Sequence, residues 1–532
     1  MIVLDKHKTK SLVALHGWTA IGLGLLLYAV VITGSVAVFS KEIADWSIGT
    51  KNQRTPALSA DIDKAVATFA SQVDVKYHED IDISETARGN LRLFFHTHAL
   101  NTHGDMDSVG VEFTIDPDTN KLLERREGFF TDLFYSESDT ALSRFLVSIH
   151  TELHLPKPWG LLLTGILGLA MLVAAISGFL MHRHLFADAF LVRRKSNPVL
   201  KQRDLHTVAG TWGLPFAFIL AFTGSFFSFA GAFGVPAMAM VAFSGDQEAL
   251  IRTLVGVPET QSDQVSPTTS INHIVRKAHE RVNSQPQFLT LSHYNRGDAK
   301  VLLSLPPAES DLEPITLEYS GVTGEFMRQK PSLGTTPSIG STAFAVIVPL
   351  HFGNFAGLLS KFVWGALGFA SCYVITSGFS LWLRRREENS RWKIFERVAL
   401  IVIWGLPVAM LSSATGYFVG VLKGNQNSLV PIAFLVSSAV VIIAGLSARN
   451  FAAFKTRMLW LIAFLCVTQP VIRLLSGGIG WLSAIEQANA VVVMVDILLL
   501  IFAIVAFTHA RNKVLIPASL TTENSDLQEA RS

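Results

Sequence analysis

Four histidines recur at spacings that carry a chemistry. Leu15-His16 stands ahead of Thr33-Gly34-Ser35 and Leu205-His206 ahead of Thr223-Gly224-Ser225, with the same 17-residue step from histidine to threonine. His150 and His351 each lie 33 residues before an arginine that opens a basic stretch, Arg183 and Arg384, and the segments between share Ser177-Gly178-Phe179 and Ser377-Gly378-Phe379. A unit of histidine-headed helix, polar domain and histidine-headed helix is therefore used twice. Two copies with the same up-down sense are related by an axis parallel to the helices, which sets His16 opposite His206 and His150 opposite His351. Imidazoles that face one another inside a four-helix bundle suit ligation of a haem iron at both axial positions, and two such pairs would hold two haems.

Other residue types offer less. Cys372 and Cys466 are the only cysteines and each sits in an apolar run, which excludes a disulfide framework, a CxxC redox pair and a thiolate cluster. His154, in IHTELHLP, competes with His150 for the same role. His182 and His184 follow the second apolar segment; the position equivalent to His182 in the other copy is Trp382, so His182 either replaces a member of the lower pair or tunes the cofactor. A plainer account of any one histidine at a helix end is an interfacial side chain reaching water. Four in a twofold pattern fit that account less well.

The elements that must position these residues are membrane helices. Mean hydropathy is +0.39, half of the 532 residues are apolar and only 16% are charged, far from soluble averages. Eight segments are long and apolar enough to cross a bilayer core that takes about 20 helical residues: 12–40, 159–181, 207–231, 358–382, 398–421, 430–447, 457–477 and 487–508. The first follows KHKTK but is too long for a signal peptide and has no A-x-A site after it, so it reads as a retained helix. The net charge of +2 argues against a nucleic-acid partner; the basic residues cluster between spans instead. Lys6, Lys8 and Lys10, the stretch from Arg183 to Arg203, RRREENSRWK from Arg384, then Arg449 and Lys455, and finally Arg511 and Lys513 all fall on one side of eight spans. That side is expected to be the cytoplasm, with both termini in it.

The opposite, periplasmic side receives two long polar segments, 41–148 and 235–342, each patterned as a small α+β unit. DIDKAVATFASQV reads as helix, with LRLFFHTHAL and VGVEFTID as strands; SINHIVRKAHERV reads as helix, with FLTLSHY, AKVLLSL and PITLEYS as strands. The expected organisation is an all-α polytopic membrane protein with two α+β periplasmic domains. Residues 1–40 form the first span, 149–234 the second and third, 343–388 the fourth, 389–515 four further spans and 516–532 a polar cytoplasmic tail. Thirty-three residues from His150 or His351 to the next arginine would make about 50 Å of helix, longer than a membrane is thick. Each periplasmic histidine is therefore expected on a short helix broken from its span, near LPKPWG and GNF.

The stretches LHGW with its TGS end, IHTELHLP followed by SGFLMHRHLFADAFLVRR, DLHTVAGTWGLPFAFILAFTG, and PLHFGNFAGLLSKFVWGALG followed by SGFSLWLRRR resemble the PepSY-associated transmembrane proteins. That family includes siderophore-iron reductases of the bacterial inner membrane, and the likeness covers residues 10 to 388. It implies two haems b, a ferric siderophore or other ferric chelate as electron acceptor, PepSY modules outside, and His16, His150, His206 and His351 as ligands, with added weight for His182. No G-x-G-x-x-G fold or flavin module accompanies it, so electrons are expected from a membrane quinol or a separate cytoplasmic reductase.

Two clusters lie outside that pattern. Arg473 and Asp496 sit at membrane depth, where an ion pair fixing the seventh span against the eighth is the first expectation and a quinol or proton role the second. FFHTHALNTHGDMD places His96 and His98 on one strand face with His103, Asp105 and Asp107 after them; an exposed strand face with a polar turn is expected, with transient ferric-chelate contact as the alternative. Two other functional classes stand beside the reductase: a haem b electron carrier for another periplasmic acceptor, and a haem-free transporter or PepSY regulatory binding protein.

Overall fold

The computed structural model describes residues 5–514 apart from 50–55, 103–105, 182–188, 194–196, 235–237, 241–243, 245–249, 251–261, 263, 308–311, 332, 335, 385 and 387–388. His182, His184, His103, Asp105 and the tail 516–532 thus lie outside the described residues. In chain order the helices used below are α1 (Lys6–Ala37), α2 (Ser40–Ile48), α3 (Ile62–Ala70), α4 (Phe130–Ser136), α5 (Ala141–Glu152), α6 (Trp159–Met181), α7 (Pro198–Trp212), α8 (Leu214–Phe229), α9 (Ile271–Val282), α10 (Ile339–Phe352), α11 (Gly357–Arg384), α12 (Ser390–Lys423), α13 (Gln426–Ser447), α14 (Phe451–Leu475), α15 (Trp481–Glu486) and α16 (Ala490–Val514). The strands are β1 (Asp80–Glu85), β2 (Leu91–Leu100), β3 (Met106–Ile115), β4 (Leu122–Phe129), β5 (Phe288–Ser292), β6 (Lys300–Leu305), β7 (Ile315–Ser320) and β8 (Phe326–Lys330).

Among the described residues eight helices are long and apolar enough to cross a membrane, namely α1, α6, α8, α11, α12, α13, α14 and α16. They fall on the eight hydropathic segments. Their outward residues are those a lipid solvent selects: Leu435, Val436, Val440 and Ile443 of α13 are all exposed, and helices satisfy their own backbone groups in hydrocarbon. Start signals are local. Asp5 accepts the Lys8 backbone N–H at 2.8 Å to open α1, and Asn197 with Pro198 at the first turn opens α7. Both short histidine-bearing helices are broken from their spans. α5 ends where Leu153 adopts a left-handed φ of 51°, and α10 ends at Gly353 with φ 67°.

The two strand-rich segments were expected as separate units, and here the structure differs. They form one eight-stranded sheet in the order β4-β3-β2-β1-β5-β6-β7-β8, antiparallel throughout. The first strands of the two modules pair at the centre, with Asp80 opposite Ser292 and Ser84 opposite Phe288. Each meander alone would leave an unpaired edge strand, and pairing edge to edge removes both. The strands bury every second residue, so Ile81, Ile83, Leu93, Phe95, Leu289, Leu291, Val301 and Leu303 face one core, which α3 and α9 cover with Ile62, Val66, Phe69, Ile271 and Ile274. The helix starts lock together as well: Ser270 Oγ donates to Asp63 at 2.6 Å and Asn272 Nδ2 to the Ala60 carbonyl at 2.7 Å. The opposite face is polar. There burial pushes the Glu318 carboxyl up, while hydrogen bonds from Arg328 and Lys300 outweigh that effect and hold it below its ordinary value.

Candidate functional site

The four repeat histidines meet in two pairs. His16 on α1 and His206 on α7 have ring centres 6.4 Å apart, and His150 on α5 and His351 on α10 are 6.5 Å apart. Two metal–imidazole bonds of about 2 Å each, with the ring radii added, span roughly 6 Å between ring centres. Each pair thus has the separation at which a single metal ion can bridge two imidazoles.

Hydrogen bonding decides which ring nitrogen could do so. His16 Nδ1 lies 2.9 Å from the Ala174 carbonyl and His150 Nδ1 2.9 Å from the Val30 carbonyl. A carbonyl only accepts, so both Nδ1 atoms carry the proton. His206 Nδ1 meets Ser377 Oγ at 2.9 Å, and that hydroxyl spends its own proton on the Val374 carbonyl at 3.0 Å. His351 Nδ1 meets Thr223 Oγ1 at 2.9 Å, and Thr223 donates to the Ile219 carbonyl at 2.7 Å. All four rings are therefore Nδ1–H tautomers with the lone pair on Nε2, the arrangement by which a partner behind the ring orients a metal-binding imidazole.

The repeated triplets provide the seats. A Cβ added at Gly178 would sit 3.3 Å from His16 Cε1, at Gly378 3.4 Å from His206 Cε1, at Gly224 3.4 Å from His351 Cε1 and at Gly34 2.7 Å from His150 Cε1. The two Thr-Gly-Ser and two Ser-Gly-Phe triplets thus place a glycine under each ring. Sequence reading found them as marks of duplication; their close approach to the rings was not legible without the packing.

Each short helix is held by its own contacts. On α10 the Trp364 indole N–H donates to the Leu350 carbonyl at 2.8 Å and Ser360 Oγ to the Gly353 carbonyl at 2.7 Å, while Phe227 and Phe352 pack on the His351 ring. On α5, Leu142, Leu146 and Ile149 join one buried cluster with Trp46 of α2 and Met410, Ala414, Tyr417 and Phe418 of α12. Tyr417 donates to the Asp139 carbonyl at 3.1 Å, and Arg144 donates to Asn427 of α13 at 2.9 Å. The last four spans, whose role the sequence left open, therefore buttress the helix that carries His150.

The competing residues go elsewhere. His154 has a left-handed φ of 54°, packs its ring on Phe145 and lies 3.2 Å from Ser148 Oγ, so it is His150 that stands opposite His351. Arg473 and Asp496 form the ion pair at 2.9 Å, and the indoles of Trp46 and Trp481 donate to the same carboxylate at 2.7 and 2.9 Å. Three structural donors thus converge on that carboxylate. Cys372 and Cys466 are buried and unpaired with one another.

Duplicated helical halves that aim four histidines inward in two pairs define a multi-pass membrane protein with a histidine-lined bundle. The family model for the PepSY-associated TM region matches residues 13–385, and the chain belongs to that family. It is also similar to an uncharacterized protein of Pseudomonas aeruginosa, 27% identical over 285 residues that cover 50% of this chain and 69% of that protein. The family match stops at the end of α11, so α12 to α16 lie beyond it.

Proposed function

We propose that the protein is a bacterial inner-membrane dihaem b reductase that carries electrons from the cytoplasmic side, or from membrane quinol, to ferric iron in a siderophore or other chelate outside. The observation that supports this reading is the pairing of four Nδ1–H imidazoles at 6.4 and 6.5 Å, each backed by an acceptor and a glycine. His16 and His206 would hold one haem b and His150 and His351 the other. Haem held in this way would supply one-electron transfer. The chain's own part is to hold the imidazoles: the carbonyls of Ala174 and Val30 and the hydroxyls of Ser377 and Thr223 keep each ring oriented and raise the basicity of Nε2. Phe227 and Phe352 pack against the His351 ring. The net change is one electron taken from the donor and one Fe3+ reduced to Fe2+ in the chelate.

The test is a visible spectrum of the purified protein with haem quantified per chain. Two six-coordinate haems b with sharp reduced α and β bands are expected, and a spectrum without haem bands would reassign the chain to a transporter or regulatory binding protein. His351→Leu is expected to lose only the outer haem, to accept electrons still, and to fail at ferric-chelate reduction. His206→Leu is expected to keep a haem that dithionite reduces and the physiological donor does not. Intact haem reduction with no Fe2+ formed from any ferric chelate would move the acceptor to another periplasmic partner.

A further inference from the structure

We infer that Asp80, His96 and His98 form a binding site for a divalent first-row transition-metal ion on the polar face of the sheet. Asp80 stands directly opposite His96 in the β1–β2 ladder, and His98 follows two residues on, so all three side chains leave the same face. One ligand atom from each lies within 4.8 Å of the others. Two bonds of about 2.1 Å would hold ligand atoms no more than roughly 4.2 Å apart, so binding would draw the three side chains slightly closer together.

The second observation is the state of His96. The residue is 4% exposed, its Nε2 lies 3.2 Å from Asp82 Oδ2, and its Nδ1 is buried with no hydrogen-bond partner among the described residues. Asp82 therefore accepts from Nε2–H, which leaves the lone pair on Nδ1. Asp82 in turn accepts from Thr290 at 2.7 Å, so the imidazole has the carboxylate support that metal-binding histidines share. Two imidazoles and a carboxylate with open positions are a donor set for Fe2+ or Zn2+ rather than for Ca2+ or Mg2+.

The fold does not require these residues. The same face of β5 and β6 in the second module carries Thr290, Ser292, Lys300, Leu302 and Ser304, and that half of the sheet forms with the same alternation. Asp107, grouped with the histidines on sequence, lies in β3 opposite Ala99 and takes the backbone N–H of Ser108 at 2.9 Å. Asp80, which sequence reading did not include, completes the set because β1 lies beside β2.

The site is independent of the haem reading, and its test does not use activity. Tag-free full-length protein in detergent is stripped with a chelator, dialysed against Zn2+ and assayed for zinc per chain by elemental analysis. One zinc per chain is expected, with affinity lowered at least tenfold in His98→Ala and in Asp80→Asn, and unchanged in His279→Ala of the second module. His98 is exposed, so its removal is expected to leave the sheet intact, as circular dichroism of the variant would check. No zinc retained by the folded wild type, or equal retention by His98→Ala, would overturn the site.

Discussion

Gly34 leaves no room for a side chain beneath His150: a Cβ there would lie 2.7 Å from the ring, against 3.3 to 3.4 Å at the other three seats. Gly34→Leu is therefore expected to drive the His150 ring from its place opposite His351, while His16 and His206 stay paired. Haem content should fall from two per chain to one, measured as haemochrome against protein. Retention of both haems would mean that the glycine is a packing convenience on α1 and no part of the seat. The two copies solve the same problem with different atoms. The first copy backs its histidines with the carbonyls of Ala174 and Val30, the second with Ser377 and Thr223. The Nδ1–H tautomer is common to all four because every acceptor has no proton left to give.

At the scale of elements, Asp496 ties three segments into one corner: Arg473 on α14, Trp481 at the start of α15 and Trp46 on α2. Removing the carboxylate leaves Arg473, 2% exposed, as a buried charge without its partner. Asp496→Ala is expected to cost about 3–5 kcal/mol, read as a lower unfolding temperature in detergent. The pair Asp496→Ala with Arg473→Met should recover much of the loss, because no unpaired charge then remains. If the double variant is as unstable as the single one, the corner depends on the tryptophan hydrogen bonds and not on the charge. Because Trp46 packs with Phe418 and with α5, this corner also supports the helix of His150. The helix of His150 thus leans on spans that lie beyond the family region.

At the scale of the molecule, the proposed topology places the sheet outside the cytoplasm and both chain ends within it. Reporter fusions after Gly128, in β4, and after Pro306, following β6, are both expected to behave as exported. A cytoplasmic signal at either would invert the path of electrons. Because β1 and β5 are adjacent, both fusions report on one body, and opposite results at the two sites are not compatible with the sheet.

Hydropathy sufficed for the eight spans, because apolar length is a local property and a bilayer imposes it directly. Spacing sufficed for the duplication and for the two histidine pairs, since a repeat with known up-down sense determines which positions face each other. The breaks near LPKPWG and GNF followed from length alone: one helix of that many residues overshoots the membrane. What the sequence could not contain was anything set by two distant segments meeting. The merger of the modules into one sheet depends on β1 finding β5 some two hundred residues away, and strand pattern is silent on partners. The glycine seats, the fixed tautomers, the buttress of α12 on α5 and the place of Asp80 beside His96 and His98 arise the same way. Each is a contact between residues far apart in the chain, so only the tertiary structure could decide it.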